Sequence, residues 1–175
     1  MKFFASVLAA TLITSVAAVV RPGADTPLFY LVSSSTTSAA NLLSVKMDGS
    51  LLGSLTSGTP AKFEFRSGQL VAADPAGSST NYRPLINAVL GSTGCSTYGQ
   101  LGFTQGSSTN KCAQYSTFSI QSDSENSQLG AKLAFNSIGG FYACGSTLNV
   151  VYKVNPADGP SDCNPVDLWT VPASS

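Results

Sequence analysis

The chain has 175 residues, of which only 10% are charged, with nine basic and nine acidic side chains and no histidine. Zero net charge without any basic run leaves nucleic acid and anionic membranes no electrostatic handle. The missing histidine removes Ser-His-Asp triads, Cys-His dyads and histidine metal sites together.

The chain opens on Met1-Lys2-Phe3-Phe4 and an apolar, alanine-rich run to Val20. A positive end, an apolar middle and small residues at the cut form the layout of a secretory signal. Val16 and Ala18 fit the −3 and −1 positions, which predicts a signal peptide over residues 1–18. A membrane anchor needs about 20 apolar residues, and Arg21-Pro22-Gly23 ends this run. Residues 167–175 are too short and polar for a lipid-anchor signal. The expected product is a secreted, extracellular chain without membrane attachment. It has a short lead over 19–27 and one domain over 28–175.

Short apolar runs then recur between turn signals: Leu28–Val32, Leu42–Met47, Ser50–Leu55, Ala61–Arg66, Gln69–Ala73 and Pro84–Leu90 in the first half. The second half adds Gly99–Thr104, Tyr115–Gln121, Lys132–Asn136, Gly140–Cys144, Asn149–Val154 and Val166–Val171. Lys62-Phe63-Glu64-Phe65-Arg66 alternates strictly, placing both rings on one face of a strand. Asp48-Gly49 and Ser67-Gly68 read as tight hairpin turns. No segment after Val20 holds a helical period, although Asn87–Leu90 is long enough for one turn. About a dozen short strands predict an all-β domain, an antiparallel sandwich or barrel first and a β-trefoil second. The clusters Ser33–Ser38 and Ser78–Thr80 read either as O-glycan acceptors or as plain loops. No Asn-x-Ser/Thr sequon occurs.

Cys95, Cys112, Cys144 and Cys163 are even in number, and the signal implies an oxidising compartment. Of three pairings, the local Cys95–Cys112 and Cys144–Cys163 are favoured, each closing a loop-like segment. No two cysteines have metal-ligand spacing. Asp158-Gly159-Pro160-Ser161-Asp162-Cys163 lacks the ligand pattern of a calcium loop. No metal or other cofactor is expected. The only glutamates are Glu64 and Glu125. Glu64 sits between Lys62 and Arg66 and reads as a cross-strand charge neighbour, and Asp123 and Glu125 share a polar loop. Paired carboxylates suffice for glycoside hydrolysis, but no acid/base partner stands out. Sugar binding needs aromatic faces and amides. Asn81, Tyr82, Tyr98 and Trp169 are the candidate contacts, Trp169 facing outward if Leu168 faces the core.

The last third carries a longer pattern. Gly139-Gly140-Phe141-Tyr142-Ala143-Cys144-Gly145 is followed by Leu148-Asn149-Val150-Val151-Tyr152, then Gly159, Cys163 and Val166-Asp167-Leu168. Over about residues 115–171 this resembles the C-terminal domain of PIR-type fungal cell-wall mannoproteins. It is similar also to phialide-type fungal cell-wall proteins. The resemblance implies a wall or surface location, supports the Cys144–Cys163 pair and carries over no catalytic residue. The Gln-rich repeats of PIR-type proteins, through which they are esterified to glucan, are not present in this sequence. The expected protein is therefore a monomeric, non-catalytic structural protein of a fungal wall. Its partners are wall polysaccharide or other wall proteins. A carbohydrate-binding or effector-like secreted module is the alternative, ahead of a glycoside hydrolase.

Overall fold

The computed structural model describes residues 25–115, 117–122 and 130–173. The expected signal peptide, Asp123 and Glu125 lie outside the described residues. Among the described residues, fourteen strands and a single 3-10 turn, Ser38–Ala40, make up the regular structure.

Local pattern accounts for most strands. In β5 (Lys62–Arg66) Phe63 and Phe65 are buried, while Lys62, Glu64 and Arg66 keep contact with solvent. Ser67 and Gly68 adopt left-handed φ values of 50° and 77°, so two residues turn the chain directly into β6 (Gln69–Ala72). Both turn residues need that region, which is how such turns match strand twist. Asp48-Gly49 behaves differently. It starts a wider loop between β2 (Lys46–Met47) and β3 (Gly53–Ser54). The Asp48 carboxylate holds that loop by accepting from the amides of Ser50 and Leu52 at 2.8 and 2.9 Å. Asn87–Leu90 forms no helical turn. It lies within β7 (Arg83–Gly91), whose long ladder with β8 (Gly94–Thr104) satisfies its backbone.

The strands form one antiparallel network of two ladders that share the final strand, β14 (Cys163–Pro172). The first ladder contains β1 (Phe29–Ser34), β5, β6, β10 (Phe118–Ser122) and β11 (Ala131–Phe135). The second contains β2, β3, β4 (Thr59–Pro60), β7, β8, β9 (Ala113–Gln114), β12 (Gly140–Cys144) and β13 (Asn149–Lys153). Among the described residues the network does not close on itself, so of the sandwich and barrel expected ahead of a trefoil, the open, sandwich-like layout is realised.

The inner faces of both ladders meet in one core. Phe63 of the first lies 6.1 Å from Phe103 of the second, and Phe135 lies 4.8 Å from Tyr152. Burying a Phe or Leu side chain of this kind contributes roughly 1.5–3 kcal/mol. Both disulfides form the local pairs, Cys95–Cys112 and Cys144–Cys163. The second joins residues that already face each other across β12 and β14. Of the Ser33–Ser38 cluster, Ser33 and Ser34 belong to β1. Ser33 is fully buried, its hydroxyl donating to the Leu43 carbonyl at 3.1 Å. Ser78–Thr80 lies exposed.

Candidate functional site

The seam between the two ladders shapes the candidate site. β14 runs beside β12 from Cys163 to Val166, and Trp169 pairs with Lys132 of β11. The partner changes around Asp167. β11 and β12 follow one another in sequence, yet one belongs to each ladder. They splay apart, and a cleft of about 510 Å³ lies where they diverge, with Ser34, Ser35 and Thr36 at its border. That volume is typical of small-molecule sites.

The turn joining β11 to β12 is sharp. Asn136, Ser137 and Gly139 all have left-handed φ values, of 54°, 55° and 79°. A Cβ on Gly139 would collide with the Lys153 carbonyl oxygen. Gly139 is therefore required by contact as well as by conformation. Gly140 is the opposite case: a Cβ there meets only Tyr142 Cε2, at 4.0 Å. Its missing side chain leaves open space along the cleft.

Gly140 and Tyr142 alternate with buried Phe141, so they share the outward face of β12. The cleft also takes Gln121 from β10 and Lys132 from β11. Lys132 Nζ lies 2.6 Å from Asp167 Oδ1, so the two charges in the cleft neutralise each other. The Ser35 hydroxyl donates to the Pro165 carbonyl at 2.9 Å, and Thr37 donates to Asn164 Oδ1 at 3.0 Å. These bonds tie the border segment to β14. Tyr152 forms part of the deep wall and donates its phenol to the Ile138 carbonyl. Its burial raises its pKa above the ordinary tyrosine value, so the phenol stays protonated. The chemistry offered is neutral: hydroxyls and an amide beside an aromatic ring.

The four expected sugar contacts are not gathered in this cleft. Tyr82 is half-buried against the core and exchanges two backbone hydrogen bonds with Ala72, with Asn81 beside it. Tyr98, on β8, packs its ring against the bare Cα of Gly159. Trp169 does lie on the face opposite Leu168, since Leu168 pairs with buried Ser33 and Trp169 with Val32. Even so, it is only 7% exposed and does not line the cleft, so no outward-facing indole is presented there. Glu64 is held by Arg66, two residues along its own strand, rather than by a cross-strand charge; its register partner is Val71.

Sequence reasoning missed Lys153. Its alternating strand position gives no warning, yet it is 2% exposed. Its ammonium donates to the Pro160 carbonyl, approaches that of Pro156 at 3.5 Å and sits 5.0 Å from the Tyr142 ring centre. Carbonyl acceptors and a π-face together solvate the charge. Lys153 thus braces the loop closed by Cys144–Cys163 against the back of the cleft wall. Across that loop, Thr97 donates to Asp158 Oδ2 at 2.6 Å.

No protein-family model matches this chain, and no curated protein or solved structure matches it.

Proposed function

We propose that this is a secreted, non-catalytic protein of the fungal cell wall or surface, held among neutral wall polymers. The observation that carries the reading is a doubly disulfide-stapled β body with hydroxyls, amides and very few charges. Such staples belong to oxidising compartments. Among the described residues, no helix is long and apolar enough to cross a membrane. The likeness of about residues 115–171 to PIR-type and phialide-type wall proteins supports the wall location. The non-catalytic part rests on a chain without histidine, with all four cysteines bridged and Glu64 engaged by Arg66.

The test is fractionation of the native protein. Recovery from washed walls, released by glucanase or chitinase digestion, is the expected result. Recovery from culture medium alone would sink the reading.

A further inference from the structure

We infer that the cleft between β11, β12 and β14 is a binding site for an uncharged pyranose chain, with the open space at Gly140 taken by the sugar. The inference rests on the wall reading for its ligand class and on the cleft's own chemistry for its specificity.

Charge decides first. Lys132 and Asp167 are already paired at 2.6 Å, with side chains 40% and 48% exposed. An anionic or cationic ligand gains little net attraction there, because whichever charge draws it has its opposite 2.6 Å away. A neutral ligand accepts hydrogen bonds from the ammonium and donates to the carboxylate while the bridge stays intact. Shape decides next. A pyranose has an apolar face and a rim of hydroxyls. The cleft is lined by Tyr142, by the hydroxyl-bearing Ser34 and Thr36 and by Gln121, the mixture of apolar body and few polar groups that fixes a small ligand.

Preorganisation comes third. Tyr142 has the Lys153 ammonium on its ring, and Lys153 is itself buried and bonded to the stapled loop. The ring is therefore set before any ligand arrives, which lowers the ordering cost of binding. Gly140 then matters for what it lacks. Its neighbours leave a Cβ unobstructed, and its φ is not in the left-handed region. A larger residue there would enter the cleft without straining the strand.

The experiment uses the secreted chain with both disulfides formed. Hexasaccharides of β-1,3-glucan, chitin and cellulose, and a uronate hexasaccharide as the charged control, are titrated and followed by amide NMR shifts. At least one neutral hexasaccharide is expected to shift residues of β11 and β12 saturably, with the uronate at least tenfold weaker. Gly140→Leu is expected to weaken that binding at least tenfold, Gly140→Ala only two- to threefold, and Gln121→Ala severalfold. Thermal unfolding of each variant should match the parent. Unchanged binding in a folded Gly140→Leu protein would overturn the inference, as would preference for the uronate or no shift with any sugar. Wall fractionation is read separately. A wall-bound protein with no sugar shifts keeps the wall reading and loses the cleft; sugar binding by a protein found only in medium does the reverse.

Discussion

Gly139 concentrates two demands at one position: a φ of 79° and a backbone approach to Lys153 that leaves no room for a methyl group. Gly139→Ala is expected to cost about 2 kcal/mol or more, read from the urea midpoint. Gln100 makes the opposite case. Its Nε2 is buried without a partner among the described residues. Gln100→Met keeps the length and removes the orphan donor, and should raise stability by about 1 kcal/mol. Asp158 gives a pH signature. The Thr97 hydroxyl, the Asn155 amides and the Lys153 charge hold its carboxyl below the ordinary value of 3.8. A depressed acid stabilises the fold above its unfolded pKa and loses that contribution as pH falls through the folded one. The loop from Val154 to Cys163 should therefore loosen below about pH 4. Amide exchange in that loop tests it, and Asp158→Asn should flatten the dependence. Trp169 shows where residue-level reading ran out. Alternation placed it on the correct face of β14, but a face is not an exposure, and its neighbours Val32 and Lys132 are brought there by strands distant in sequence.

At the scale of elements, the strands themselves were largely legible. Alternation and turn chemistry are local, so β5, β6, β12 and β13 fall close to where the sequence places them. The two disulfides were legible for a similar reason, since each spans under twenty residues. Each should contribute about 3 kcal/mol in the chain-entropy account. Their loss should look different. Replacing Cys95 and Cys112 by alanine should free mainly the β7–β8 hairpin tip, where Val89 and Leu90 already lie exposed. Replacing Cys144 and Cys163 should loosen the braced loop behind Tyr142 as well, so sugar binding should weaken along with stability. Limited proteolysis with mapped cut sites separates the two. What the sequence concealed was the cleft. It exists because β11 and β12, adjacent in sequence, join different ladders, and no local pattern announces such a parting.

For the molecule as a whole, the wall reading and the cleft make a joint demand: the binding face must stay ordered without a partner. The architecture meets it through β14, which is bonded to β1 along six register pairs and to β12 along four. Weakening β14 should therefore destabilise both ladders together. Leu168→Ala, at a fully buried position, should cost about 2–5 kcal/mol. It should also leave a single unfolding transition in place, because both ladders draw on the same strand; two separated transitions would show that they stand alone.

That shared strand also sets a timetable. A ribosome makes residues 29–162 before the first residue of β14 exists, so β1 spends nearly all of synthesis beside an empty place. Cys163 opens the same strand, and its bridge must wait as well, while Cys95 and Cys112 can meet much earlier. Pairings across so long a stretch of chain are slow to find. Maturation should thus pass through a one-bridge species in which the first staple is closed, the cleft is unformed and an unpaired edge of β1 is open to chaperones.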